Sequence, residues 1–505
     1  SDPYVRFADR TGDGTQDIVR VTSGGVWYWP NLGNGRYGDA ILMHHSPRLR
    51  NAVADPGSVL LLDVDGDGCA DLVEIGSNRL TLYSNRGGQS FGDAQTIDPI
   101  PSPIAGSMRP ANALGHASTG LIWNSIRGGV RCYVHLEFDT SRTTYLLTGV
   151  DNGAGLIAGI DYRSAVEDYL RDRDQGAIWT TDFPFPLTVV ASTTETDQVT
   201  GQVTVVEYRY HEAHYQRQTR QFQGFRTTER IERGDESRPD SKTVFHFLQQ
   251  MERQPGSGPQ HAALNGSLVR TEVYALDGSA SQDLPFQVET ATHDVVSLND
   301  ARDGQPRSFV FVTGHRTEDH DRTADVRAEE KTYTYDAAGN VVREVLRASG
   351  LKGGAVQAEA VRTTDITYAV SATRRILDRH ASVVVRDGAG KIVSETRSYY
   401  DGAAFAGMPL GQMDRGQLMR ESRVALPDSV FAVHYAGMDA AGLGYRKEAD
   451  ADGVESWWID TKRYSRDARG IVLGERDPVG NDRTFEYDAA GVFKTALTDA
   501  IGATQ

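Results

Sequence analysis

The chain has 505 residues and a net charge of −16 at pH 7, with 53 Lys and Arg against 69 Asp and Glu. That balance excludes the clustered positive surface a nucleic-acid partner requires, and no window approaches the 18 or so apolar residues of a membrane span. Hydrophobic content of 39% supports packed cores, 52 Gly and 21 Tyr favour turn-rich β structure, and the length predicts two or more domains.

The first segment is one unit written twice. Asp9-Arg10-Thr11-Gly12-Asp13-Gly14-Thr15-Gln16-Asp17 opens one copy, and Asp63-Val64-Asp65-Gly66-Asp67-Gly68-Cys69-Ala70-Asp71 opens the next, 54 residues later. The same offset carries Tyr28 to Leu82, Asn31 to Asn85 and Tyr37 to Phe91. A fixed offset held across a whole segment marks stacked units of propeller or solenoid type.

In the second loop, carboxylates fall at positions 1, 3, 5 and 9, with glycine at position 6 to turn the chain. Oxygen donors at this spacing suit Ca²⁺. The expected ligand set is Asp63, Asp65, Asp67, Asp71 and the carbonyl of Cys69. The poorer first set is Asp9, Thr11, Asp13, Asp17 and the carbonyl of Thr15. A competing reading is that both loops are Asx-rich turns with no ion. Either way the role is structural, since no histidine accompanies the carboxylates. An EF-hand is excluded: Leu72-Val73-Glu74-Ile75-Gly76 is too short and β-branched for the helix that motif needs.

After each loop the pattern is strand-like, at Asp17–Val21, Gly25–Trp29, Asp71–Glu74 and Leu80–Tyr83. Gly120-Leu121-Ile122-Trp123-Asn124 predicts a third, worn copy whose loop, Gly115 to Thr119, has lost its acids and should bind no calcium. These residues, 1–140, form the first predicted domain. Of the two cysteines, Cys69 and Cys132, the expectation is buried thiols with no dependence on a disulfide. The opening Ser1-Asp2-Pro3-Tyr4, directly before a repeat, predicts a piece of something larger or a divergent small relative.

Residues 141–330 form a β-rich middle region. Strands are expected at Tyr145–Val150, Gly155–Ile160, Thr188–Val190 and Val203–Tyr210, with a short helix or connector from Tyr162 to Arg173. Two prolines in Trp179 to Val190 predict an edge or crossing segment. His211, Glu212 and His214 lack the helical His-Glu-x-x-His spacing of a zinc protease, so packing and hydrogen bonding are their expected uses. No nucleophile elbow, phosphate loop or Cys-x-x-Cys pair occurs, and catalysis is not expected.

Residues 331–505 hold a second repeat class. Tyr335-Asp336-Ala337-Ala338-Gly339, Ser465-Arg466-Asp467-Ala468-Arg469-Gly470 and Tyr487-Asp488-Ala489-Ala490-Gly491 share an Asp-x-x-Gly core, with weaker relatives at Asp387–Gly390 and Tyr399-Tyr400-Asp401-Gly402. Asp bonds locally to the backbone and Gly accepts positive φ, which makes a hairpin turn. The aromatic before each turn should pack on the neighbouring hairpin, so that units stack into a continuous sheet.

Three places resemble one family, the B component of bacterial insecticidal toxin complexes (the Tc toxins). The Asp-Gly loops resemble its FG-GAP/VCBS repeats. The stretches Trp179 to Val190, Tyr208-Arg209-Tyr210-His211-Glu212, Arg220 to Phe225 and Arg270 to Gly278 are similar to its middle region. The Tyr-Asp hairpins resemble its RHS/YD repeats. The resemblance implies a mainly β chain: partial β-propeller-like blades followed by a stacked-hairpin sheet that walls a hollow cocoon. It also implies docking on the A component, a translocation channel, and a shell shared with the C component around a toxic cargo. Such a protein is exported as part of the complex after folding in the bacterial cytoplasm, and is no enzyme. Two other readings remain at this point: a surface adhesion or carbohydrate-contact protein, for which Trp27 and Trp29 offer aromatic rings, and a hydrolase.

Overall fold

The computed structural model describes residues 2–49, 55–104, 106–113, 115, 119–138, 146–180, 187–217, 221–249, 263–298, 307–320, 322–323, 325–353, 355–371 and 373–504. The worn third loop at His116-Ala117-Ser118, the start of the strand expected at Tyr145, Asp182 to Pro186, and Arg220 lie outside them. The chain divides into two compact units, 1–252 with 275–277, and 253–274 with 278–505.

Alternating apolar residues between glycine turns give short antiparallel sheets at the start of the first unit. Strands Val5–Ala8, Asp17–Thr22, Gly25–Trp29 and Ile41–Leu42 make one four-stranded sheet; Val59–Leu62, Asp71–Ile75, Leu80–Tyr83 and Gln95–Ile97 make the next. Arg109–Ala111, Gly120–Arg127 and Val130–Leu136 make a third. Period 2 gives each sheet two faces, and the sheets stack through them. Val19, Val21 and Val26 of the first pack with Val59 and Leu72 of the second. On its other face the second sheet packs Val73 and Leu80 against Leu121 and Trp123 of the third. The strands expected after each Asp loop and in the worn copy are all present. Cys69 is buried and Cys132 half-buried, both as free thiols.

The rest of the first unit is a meander of long strands from Gly149–Asp151 through Leu156–Ser164, Thr188–Asp197, Val203–Gln216 and Gln221–Glu232 to Asp240–Phe247. The segment expected to turn helical at Tyr162 stays in the sheet as far as Ser164. That serine then caps a helix, Ala165–Asp174, by accepting from the Val166 N–H. Glu167 and Asp168 in its first turn and Arg171 and Arg173 in its last complement the helix dipole.

In the second unit, antiparallel strands follow in chain order from Leu268–Leu276 to Lys494–Thr498. The Asp-x-x-Gly hairpins are as expected. In each, the Asp Oδ1 accepts two backbone N–H groups beyond the turn: Ala338 and Asn340 on Asp336, Arg469 and Ile471 on Asp467, Val492 and Phe493 on Asp488. Gly339 sits at φ +86°, where an L side chain is disfavoured. Tyrosines preceding turns reach one hairpin back, Tyr335 donating to the Val312 carbonyl at 2.6 Å and Tyr487 to Val472 at 3.0 Å. Asp401 departs from the pattern: its carboxylate gathers the N–H groups of Asp414, Arg415, Gly416 and Gln417, anchoring a long return loop and no tight hairpin. Further Asp-x-x-Gly turns stand at Asp450, Asp477 and Asp499 without a preceding tyrosine.

These sheets leave much of both faces open. The chain exposes 29305 Å², whereas two solid domains sharing its length would expose roughly 22,000 Å² together. Long strands with half-buried residues on both faces contribute to the surplus.

Candidate functional site

The two Asp loops lie against each other. Ala70 N–H donates to the Asp9 carbonyl, the Asn85 amide donates to the Arg10 and Ala70 carbonyls, and the Cys69 sulfur sits beside Gly12. Arg10 runs between them wholly buried, with one guanidinium nitrogen on the Ala70 carbonyl and the group 5.0 Å from the Phe91 ring centre. Burial lowers its pKa to about 10.

Within the loops the carboxylates hold backbone. At position 1, Asp9 accepts from Gly12 at 2.8 Å and Gly14 at 2.7 Å; Asp63 accepts from Gly66 at 2.7 Å and Gly68 at 3.0 Å. At position 5, Asp13 accepts from the backbone and hydroxyl of Thr15, and Asp67 from the Cys69 N–H. At position 9, Asp17 binds the Arg10 and Asn31 N–H groups and Asp71 those of Val64 and Asn85. Both position-9 carboxylates are fully buried. The Asx-turn reading therefore describes much of this chemistry.

One loop goes further. Oxygens of Asp63, Asp65 and Asp71 lie within 4.8 Å of one another, and among the described residues no such group forms from Asp9, Asp13 and Asp17. Burial pushes Asp71 up to about 7 and also raises Asp65, beside Asp67 and Asp63. Three crowded carboxylates in a desolvated loop are a donor set that fits a hard divalent cation. Thr11 contributes its backbone N–H to Asp9, and its methyl packs at Gly88. Burial pushes the Cys69 thiol up to about 11, which leaves it an inert, protonated packing group.

Sequence reasoning noted Asn31 and Asn85 for their shared offset but missed their role as amide partners of the buried Asp. It missed a second centre entirely. On the helix Ala165–Asp174, Asp168 accepts two bonds from Arg163, at 3.0 and 2.7 Å, and one from Arg171. One turn on, Asp172 accepts from Trp179 Nε1 at 2.7 Å and lies 2.7 Å from His211 Nδ1. Phe225 stands edge-on to Trp179 and 4.8 Å from Tyr210. The motifs at Trp179 and Tyr208–Glu212 thus meet on the Asp172 carboxylate, and Phe225 packs on the Trp179 and Tyr210 rings beside it. Two acids four apart on a charged helix read as a solvated face, so no sequence signal marked them. His211 is held by Asp172, and His214 is buried.

In the second unit one sheet face carries a ladder of arginines and acids. The motif is Arg-x-Glu on a single strand, at Arg270–Glu272, Arg316–Glu318 and Arg446–Glu448. Cross-strand register puts the Arg343–Asp365 pair, and the single-strand pair Glu395–Arg397, on the same face. The planar guanidinium suits such forked pairing.

Stacked antiparallel sheets followed by long hairpin meanders define a mainly β architecture with an interlocked repeat pair at its start, and known proteins share it. The family model for an FG-GAP-like repeat matches residues 9–73, that for the insecticide toxin TcdB middle/N-terminal region matches 96–250, and that for the TcdB middle/C-terminal region matches 260–346. The fold is similar over the whole chain to the Tc holotoxin pore of Photorhabdus luminescens, with TM-score 0.83 and 16% identity, covering 29% of that chain. It is similar to TcdB2-TccC3, with TM-score 0.79 and 17% identity, again over the whole chain and 31% of the other. The chain thus spans about a third of the length of those structures' chains. Among curated proteins none matches. The chain thus carries two segments similar to the middle region of insecticide toxin TcdB and shares the fold of those Tc toxin structures.

Proposed function

We propose that these residues serve as scaffold in a toxin complex: a propeller-type blade stack that docks the A channel, and part of a hollow wall that the C component completes around a toxic cargo. The carrying observation is that most residues of the long strands, on both sides of the sheet, are half-buried and few are fully buried, as in a wall and unlike a solid core. The similar structures, a Tc holotoxin pore and TcdB2-TccC3, support the partners. The outer face of the first sheet is less covered than that of the second. Val5 is 38% exposed where its counterpart 54 residues on, Val59, is 1%. The role is structural, not catalytic, and the complex acts outside the producing cell. Among the described residues no helix is long and apolar enough to cross a membrane. Electron microscopy of the parent protein mixed with its A and C components tests this. A closed shell seated on the channel is expected; a parent that binds neither would overturn the reading.

The cluster of Asp63, Asp65 and Asp71 supports a second element of the proposal, a structural Ca²⁺ in the second loop, with the first loop held by hydrogen bonds alone. An ion bound only to the folded form raises stability by linkage. Melting of the first unit should rise with added Ca²⁺ and fall in chelator, and Asp65→Asn should remove the difference. Identical melting in both would defeat the ion while leaving the scaffold reading intact.

A further inference from the structure

The ladder face and the opposite face of the second unit's sheet differ in where lysines and buried residues fall, although the opposite face also holds Arg362 and the Arg327–Glu329 pair. On the ladder face the basic groups named above are arginines, and they are paired within the sheet. The same face carries buried residues between the ion pairs. Val288 lies in register with Glu272 and Glu318, Ala328 with Glu318, and Val384 with Asp365 and Glu395. Trp458, fully buried, lies under the Arg397 guanidinium at 4.1 Å, and Tyr399 under Arg420 at 3.9 Å. The opposite face carries Lys331, Lys447 and Lys462 in register with His315, Trp457 and Glu421. It also carries the short helix Asp428–His434, whose Phe431 stacks on Trp457 at 4.6 Å.

On the hollow side of a coiled sheet, side chains converge and bury one another; on the outer side they splay. Charges facing an enclosed space must be neutralised locally, because little water is there to solvate them. Lysine, compact and strongly hydrated, belongs in bulk solvent, and a helix laid on the outer side takes no room from the contents. We propose that the arginine–carboxylate face is turned inward, toward an unfolded polypeptide cargo, and the lysine-bearing face outward. This rests on the shell reading above.

Thr332 is exposed on the ladder face, in register with Gly314 and Val345; Arg362 is exposed on the other, in register with Leu346. The test places Thr332→Cys or Arg362→Cys in a parent protein whose Cys132 is replaced by Ser, with Thr367→Cys as a second ladder-face probe should Thr332→Cys misfold. Each is assembled with the C component and treated with a polyethylene-glycol maleimide too bulky to cross a shell wall. Both faces should label before assembly. After assembly, loss of labelling at Thr332→Cys with labelling kept at Arg362→Cys is expected. Protection of Arg362→Cys with labelling of Thr332→Cys would overturn the face assignment yet keep the shell. Labelling of both after assembly would overturn the shell itself.

Discussion

Asp17 and Asp71 each give both carboxylate oxygens to backbone amides across the loop, and both are buried, whereas Asp13 serves a single exposed turn. Removing a buried acceptor strands its donors at about 1–3 kcal/mol. Asp17→Ala should therefore lower the stability of the first unit by about 3 kcal/mol, and Asp13→Ala by no more than about 0.5 kcal/mol. Urea titration followed by tryptophan fluorescence decides it; equal losses would mean that the loop position is immaterial. Tyr210 offers a pH test. Burial, opposed by Arg163, pushes its phenol up to about 12, above the 10.0 of a free tyrosine, and its hydroxyl donates to the Val190 carbonyl at 3.0 Å. The folded state then keeps the proton more tightly than the unfolded one. The stability this provides is complete below pH 10 and disappears as pH rises through about 12. Tyr210→Phe should flatten that alkaline loss, as read from melting temperature against pH.

At the scale of single elements, the helix Ala165–Asp174 is held by Asp172. Asp172→Ala would leave Trp179 Nε1 and His211 Nδ1 without this acceptor. The expected result is a red-shifted Trp179 emission and freer exchange of the helix amides; unchanged emission would show that the aromatic contacts with Tyr169 and Phe225 suffice. The hairpins obey a simpler rule. Gly339 at φ +86° lies against the Phe309 ring, so Gly339→Val adds both a strained backbone and a clash. The turns were legible in the sequence because Asp and Gly act within five residues. Asp450, Asp477 and Asp499 were legible by the same spacing once the preceding tyrosine is not demanded. Asp401 was misread because its partners lie more than ten residues on.

At the scale of the whole molecule, each strand of these meanders bonds only to its neighbours, so stability should be close to a sum of local terms. Gly339→Val should speed amide exchange in Val326–Lys352 and leave the stacked sheets of residues 5–136 unchanged. Exchange that rises everywhere would show a single cooperative body instead.

Sequence alone determined what depends on near neighbours: the 54-residue repeat, the strands after each loop, the turns and the mainly β class, because period, turn chemistry and β-branching act within a few residues. Tertiary structure decided the rest. It set the two Asp loops against each other around Arg10 and brought Asp63, Asp65 and Asp71 together without a matching trio in the first loop. It also brought Trp179 and His211 together on Asp172 and set the ion pairs of Arg270, Arg316, Arg343, Arg397 and Arg446 on one sheet face. Those outcomes depend on register and stacking between residues far apart in the chain, and a one-residue slip of a strand would reverse every face.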